Sequence, residues 1–237
     1  MFCQKCGAPV SPQVRFCPRC GQPLAPAAPA AQQPVPQPQT TWTPPVGVRS
    51  DTGRWISEGW QMVKADLGTY IVLALIFTAI NSVGSIITQG PLMVGFHIVC
   101  MKKMLNRQTE IGDIFKGFHY FVPAMVASII IGLFTFVGAL ACLVGSLVVV
   151  AIFNFTYLFI VDKRMDFWPA MQASHAVVKN DYFGFTMFAL VLMLVNLLGV
   201  LCCIVGVFVA MPVTVAAITV AYKQLVGFEP GSPADAI

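Results

Sequence analysis

Residues 117–161 read GFHYFVPAMVASIIIGLFTFVGALACLVGSLVVVAIFNFTYLFIV, a stretch of 45 residues without Asp, Glu, Lys or Arg. An α-helix rises about 1.5 Å per residue, so about 20 apolar residues cross the hydrocarbon core of a bilayer. The stretch is therefore long enough for two spanning helices joined by a tight, uncharged turn. It predicts an integral membrane protein.

Two further stretches carry no charged residue, Leu67–Met101 and Tyr182–Tyr222. The second of these again has room for two spans, and the first contains a break signal at Gln89-Gly90-Pro91. Only 10% of the chain is charged, against about 25% in soluble domains. We therefore expect an all-α integral membrane domain with six transmembrane helices, arranged as three hairpins.

The three hairpins share a sequence pattern that indicates an internal repeat. Each has a small polar residue one helical turn before a glycine, in Asn81-x2-Gly84, Thr135-x2-Gly138 and Asn196-x2-Gly199. An amphipathic segment with aromatic and charged residues precedes each hairpin, over residues 55–64, 111–118 and 167–179. Such segments favour the lipid headgroup layer. We interpret the repeating unit as interfacial helix, span, turn, span.

Four polar side chains are predicted to lie inside the membrane: Asn81, Thr135, Asn154 and Asn196. Apolar helices gain little from hydrophobicity in lipid, so their packing depends on close approach and on interhelical hydrogen bonds. We favour this packing role for the four residues. A polar path for a solute is the alternative.

All fourteen basic residues lie before, between or after the three uncharged stretches. Because Lys and Arg are enriched in cytoplasmic loops, this distribution predicts that both termini are cytoplasmic. No Asp, Glu, Lys or Arg lies within a predicted span, and such residues are what ion-coupled transporters usually place at mid-bilayer. The chain also has no catalytic triad, acid pair or phosphate-binding loop, so we do not expect an enzyme.

The N-terminus carries the pattern Cys3-x2-Cys6-x10-Cys17-x2-Cys20, in which a glycine follows each Cys-x-x-Cys pair. Two such pairs supply four thiolates to one tetrahedral zinc ion. A disulfide framework and a dithiol redox pair are the weaker alternatives. Residues 1–49 contain four basic residues and no acidic one, which is too slight a basicity to indicate nucleic-acid binding.

The chain divides by composition into four parts. We expect a zinc ribbon at residues 1–24, a Pro-rich linker at 25–50, the six-helix membrane domain at 51–228 and a tail at 229–237. The linker cannot build a core or a continuous helix, so we expect a semi-extended polyproline tether.

Two family resemblances follow from these motifs. The N-terminal cysteine pattern looks like the short zinc ribbons that begin many bacterial membrane proteins. The remainder carries the motifs Gly90-Pro91-Leu-Met-Val-Gly95, Asp113-Ile-Phe-Lys-Gly-Phe118, and Cys203-Ile-Val-Gly206 with the later Ala221-Tyr222-Lys-Gln-Leu225. By these motifs it resembles uncharacterised six-span bacterial membrane proteins, including the membrane domain of some glycerophosphoryl diester phosphodiesterases. The resemblance implies a bacterial cytoplasmic (inner) membrane protein. It does not carry over the phosphodiesterase activity, whose catalytic domain is not in this sequence.

These observations lead to one functional expectation and two alternatives. We expect a scaffold or adaptor in the lipid bilayer that presents its zinc ribbon to a protein partner, and the sequence is compatible with an oligomer. The first alternative is a transporter or channel for a neutral or lipid-like solute, with a regulatory ribbon. The second is that the interfacial helices sense or shape the lipid surface.

Overall fold

The structure is a computed structural model that describes residues 9, 19–20, 42–141, 143–201 and 206–229. The chain forms two compact units, residues 1–41 and residues 42–237. In the first unit only Pro9, Arg19 and Cys20 are described. The second unit, residues 42–237, is called the helical unit.

The regular secondary structure of the described part of the helical unit is helical throughout. Its α-helices are α1 (Thr52–Ala65), α2 (Leu67–Met104), α3 (Phe121–Ala141), α4 (Leu143–Phe153), α5 (Thr156–Asp162), α6 (Phe167–Val178), α7 (Tyr182–Leu201) and α8 (Val207–Leu225). A 3-10 helix, Ile111–Tyr120, runs directly into α3. Helix α2 packs against this 3-10 helix and against α8, while α1 packs on α8 and α4 packs on α3 and α7.

Four described helical segments are long and apolar enough to cross a membrane: Ile111–Leu140, Gly145–Asp162, Tyr182–Leu201 and Val207–Leu225. A fifth is possible if α1 and the first part of α2, which meet at 98°, together form one span. The prediction of a helical unit is thus confirmed, and its four to five candidate spans indicate a membrane protein. The count of six spans and the threefold repeat stay predictions.

The break predicted at Gln89-Gly90-Pro91 is wrong, because these residues continue α2. The one residue with non-helical dihedral angles inside α2 is Gly84, at φ −129° and ψ 34°. There Thr88 Oγ1 donates to the Gly84 carbonyl oxygen (2.9 Å) and contacts Asn81 Oδ1 (3.1 Å). A side-chain hydroxyl therefore provides a hydrogen bond where the helical ladder is interrupted.

Gly90 is needed for packing rather than for a turn. A methyl group at Gly90 would overlap the backbone of Ala124 in α3. The same holds nearby, where a methyl group at Gly117 would overlap Pro91 and Gly95, and one at Gly95 would overlap Ile114. The backbones of α2 and the 3-10 helix are therefore in direct contact. The two glycine motifs that carried the family resemblance meet here.

The three segments predicted to be interfacial all form helices, namely α1, the 3-10 helix and α6. Each helix buries one face and exposes a large aromatic side chain: Trp60, Phe115 and Trp168 are 43%, 47% and 52% exposed. In α1 the buried face includes Gly59, whose backbone lies against Ala217 of α8. The amphipathic character read from the sequence is therefore present in the folded chain.

Trp55 joins α1 to the two C-terminal helices. Its ring is buried, stacks on Phe185 and meets the edge of Phe188, both in α7. Its Nε1 donates to Gln224 Oε1 of α8 at 2.8 Å. A buried Trp with its N–H satisfied combines a large apolar contact with a directional bond. This residue therefore fixes α1 on the spanning helices.

Candidate functional site

Three of the four predicted zinc ligands, Cys3, Cys6 and Cys17, lie outside the described residues. The fourth, Cys20, is partly buried in a turn with Arg19. Among the described residues, no three His, Cys, Asp or Glu side chains come together as a metal site. Four thiolates fit the ligand chemistry of structural zinc. The ligand set itself stays a prediction.

The four predicted intramembrane polar residues lie in three different places. Asn81 is at the interruption of α2 described above. Thr135 donates its hydroxyl to the Ile131 carbonyl of its own helix, at 2.7 Å. Asn154 and Asn196 lie together, in one cleft. The structure thus brings two of the four residues to a common site.

This cleft lies between α4, α7 and α8 and has a volume of about 260 Å³. Its lining consists of Ser146, Leu147, Val150, Asn154, Ala189, Leu192, Met193, Asn196 and Thr214. Asn196 Nδ2 donates to Thr214 Oγ1 (2.7 Å) and to the Leu192 carbonyl (2.8 Å). The amide therefore joins α7 to α8 by a hydrogen bond, and the packing role predicted for it stays a prediction. None of the lining side chains is ionisable.

The helical hydrogen-bond pattern is interrupted beside this cleft, where Asn154 and Phe155 form a turn between the end of α4 at Phe153 and the start of α5 at Thr156. Ser174 of α6 bridges the gap: its hydroxyl donates to the Ile152 carbonyl (2.6 Å) and accepts from the Phe155 N–H (3.2 Å). Interrupted helices at membrane depth need such partners, because lipid offers none. The break leaves Asn154 in the turn between the two helices.

Sequence reasoning missed a buried ion cluster where α2 meets the 3-10 helix. Asp113 Oδ1 lies 2.9 Å from Lys102 Nζ and 2.7 Å from Lys116 Nζ, and Asp113 Oδ2 accepts from the Glu110 N–H at 3.0 Å. The side chains of Lys102 and Asp113 are only 6% and 2% exposed. Asp113 and Lys116 are three residues apart, a spacing typical of helical ion pairs. The partnership with Lys102 has no local signal.

A second buried carboxylate, Asp162, holds the end of the described chain. It accepts from the Tyr222 hydroxyl (2.9 Å) and from the Glu229 N–H (3.0 Å). Lys163 Nζ lies 2.8 Å from the Glu229 carboxylate and 3.6 Å from that of Asp162. Each carboxylate oxygen of Asp162 thus accepts a hydrogen bond, as buried polar groups in folded proteins usually do.

The last nine residues of the predicted linker, 42–50, are held on the helical unit. Trp42 meets Phe159 edge-on at 4.8 Å between ring centroids. Asn180 Nδ2 donates to the Pro45 carbonyl at 3.3 Å. The N–H and hydroxyl of Ser50 both donate to Asp181 Oδ2, at 3.1 and 2.9 Å. We call residues 42–50 the clasp segment.

Asp181 should control the release of the clasp segment. Hydrogen bonds from the N–H groups of Gly184 and Ser50 hold the pKa of its carboxyl below the ordinary value. A depressed pKa means that the ionised carboxylate stabilises the folded state. This stabilisation is complete at pH values above the unfolded-state pKa and is lost as the pH falls through the folded-state pKa. We expect Asp181→Ala to increase the rate of tryptic cleavage after Arg49 about tenfold at neutral pH, with the Glu58–Lys64 region still protected.

The matched control is Asp166→Ala, which removes the side-chain cap of α6 but does not touch the clasp segment. A loss of one cap costs about 1 kcal/mol in either helix. Equal cleavage after Arg49 in both variants would mean that general destabilisation, and not release of the clasp segment, exposes the site.

Comparison with known proteins assigns the N-terminal part of the chain. Residues 2–24 match the family model of the zinc-ribbon domain. No curated protein and no solved structure matches the chain. The sequence of the first unit thus contains a zinc-ribbon domain, and it stands ahead of a helical unit with four to five candidate membrane spans.

Proposed function

We propose that the protein is a membrane-anchored adaptor: the helical unit holds it in a bacterial cytoplasmic membrane, and the zinc ribbon binds another protein without catalysis. The observation that carries the proposal is the match of residues 2–24 to a zinc-ribbon domain in a chain with four to five candidate spans. A structural zinc site stabilises the fold of so small a domain, and a folded ribbon offers a surface for protein recognition.

The proposal includes a topology of three hairpins, six spanning helices and cytoplasmic termini. Its support is that every Lys and Arg lies before, between or after the three predicted hairpins, and none at the turn expected within a hairpin. The outward aromatics of α1, the 3-10 helix and α6 support an interfacial position for these helices, because Trp and Phe favour the headgroup boundary. On this arrangement the ribbon lies in a reducing compartment, where its thiols stay available for zinc.

Cys3, Cys6, Cys17 and Cys20 would hold the zinc ion, whose binding supplies the folding energy that so short a domain lacks. We therefore expect Cys17→Ser to lower the bound zinc of the purified protein from about one ion per chain to nearly none, measured by elemental analysis. The helical unit should still insert in the membrane, because its core is formed by residues after position 41.

The control is Cys100→Ser, since Cys100 is buried in α2 and is not a predicted ligand. This variant should keep its zinc. Retention of a full zinc complement by Cys17→Ser would contradict the four-thiolate site.

A further inference from the structure

The cleft between α4, α7 and α8 lies in the middle of an apolar span. Helix α7 has 20 residues, which corresponds to about 30 Å, the thickness of the hydrocarbon core. Ala189 and Asn196 follow Tyr182 by seven and fourteen residues, or about 10 and 21 Å along that helix. The cleft that they line is therefore at a depth where lipid chains, and not water, surround the protein.

The cleft is open toward the surface of the helix bundle. Two of its lining residues, Val150 and Met193, are 38% and 41% exposed. Both are apolar, as is suitable for a surface that meets lipid chains. A molecule dissolved in the bilayer could enter between them without crossing a charged region, because no lining residue is ionisable.

The side-chain amides of Asn154 and Asn196 retain hydrogen-bonding groups that the described residues do not use. No described residue forms a hydrogen bond with the Asn154 amide, so its oxygen and both of its N–H groups remain available. Asn196 uses its two N–H groups on Thr214 and Leu192, while its Oδ1 has no donor among the described residues. Both residues are only partly buried, but where an open cleft faces hydrocarbon no solvent supplies the missing hydrogen bonds.

The interruption between α4 and α5 places the Asn154 amide at the cleft. With α4 ending at Phe153, Asn154 lies in a turn that Ser174 stabilises from the opposite side. Ser174 thus satisfies the backbone of the break but not the Asn154 side chain. In transporters, substrate sites are typically formed by discontinuous helices, and irregular backbone within a membrane is tolerated where it is buried in protein or lines a cavity.

We propose that this cleft binds an uncharged amphiphile from the bilayer, with a hydroxyl or amide group against Asn154 and Asn196 and a short apolar chain against Leu147, Val150 and Met193. A charged group would have no counter-ion there. The volume of about 260 Å³ accommodates about nine groups the size of a water molecule, which excludes a whole phospholipid. The inference is independent of the adaptor function and requires only that the helical unit folds.

The test uses the full chain in phosphatidylcholine nanodiscs with an octanol that carries a photoreactive diazirine. Octanol has nine non-hydrogen atoms and so matches the cleft, and nonane is the equally large competitor without a hydroxyl. Cross-links are mapped by mass spectrometry at Val150 and Met193, and at Leu133 and Phe136, which α3 exposes outside the cleft.

We expect saturable labelling at Val150 and Met193 that octanol displaces about five- to tenfold better than nonane, the effect of one hydrogen bond in lipid. Asn154→Leu should reduce this preference to about one. Asn81→Leu, which changes a polar residue outside the cleft, should leave it unchanged. Val150→Trp should block labelling at Met193 while both amides remain, because it fills the cleft from a position that is 38% exposed.

Labelling of Val150 and Met193 no stronger than that of Leu133 and Phe136 would show that the alcohol merely partitions into the bilayer, and would overturn the proposal. Equal displacement by octanol and nonane would overturn it as well, because the amides would then have no part in binding. If Asn154→Leu does not fold, Val150→Trp serves as the test of the cleft. Undiminished labelling at Met193 in that variant would exclude the cleft as the binding site.

Discussion

Asp113→Asn should lower the free energy of unfolding of the helical unit by about 3–5 kcal/mol, because it removes the carboxylate charge that lies 2.9 Å from the buried ammonium group of Lys102. The Lys102 side chain is 6% exposed, whereas that of Lys116 is 28% exposed and can turn outward. The asparagine keeps the size of the side chain, so the loss measures charge and not volume. Denaturant-induced unfolding in a mild detergent gives the difference.

Asp66→Asn provides the matched control. Asp66 forms an ion pair with Lys103 at 2.7 Å, but both side chains are 32% exposed. Exposed pairs contribute about 0–1 kcal/mol, so this variant should be nearly as stable as the wild type. Adding Lys102→Met to Asp113→Asn should restore part of the stability, because the buried ammonium charge is then removed as well. Equal losses in Asp66→Asn and Asp113→Asn would contradict the buried-pair account.

Gly117→Ala should destabilise the helical unit by about 3 kcal/mol, the upper end of the usual cost of overpacking. The added methyl group would overlap backbone atoms of Pro91 and Gly95, which cannot change rotamer to make room. The 3-10 helix would have to move away from α2 and so would weaken the Lys102–Asp113 contact. Thermal unfolding of the purified protein measures the effect.

Gly112→Ala is the control within the same 3-10 helix, because a methyl group there meets no atom within 4 Å. It should be neutral or slightly stabilising, since alanine restricts the unfolded chain more than glycine does. Similar destabilisation by both substitutions would mean that the 3-10 helix itself, and not its contact with α2, tolerates only glycine.

The sequence was sufficient to predict the membrane character and the three amphipathic helices. Both depend on local composition: an uncharged stretch such as residues 117–161 has few alternatives to membrane helices, and aromatic and charged residues at helical spacing mark the segments 55–64 and 167–179. The bounds of α1 and α6 agree with these predictions.

Interactions between distant parts of the chain could not be predicted in this way. The Gly90-Pro91 pair indicates a turn by local rules, yet it lies inside α2 because the glycine is needed where α3 packs against the helix. Likewise Lys102 and Asp113 are ordinary loop charges in the sequence, and only the fold buries them together. Asn154 and Asn196 are 42 positions apart, so their common cleft also required the structure.

The most direct test of the adaptor function is quantitative mass spectrometry of the proteins that co-purify with the membrane-inserted chain. The comparison includes the wild type, Cys17→Ser and a chain that lacks residues 1–24. The account predicts at least one partner that is recovered with the wild type and is reduced at least tenfold in both altered chains, although all three reach the membrane equally. An identical set of partners for the three chains would contradict it, because recognition would then not depend on the zinc ribbon.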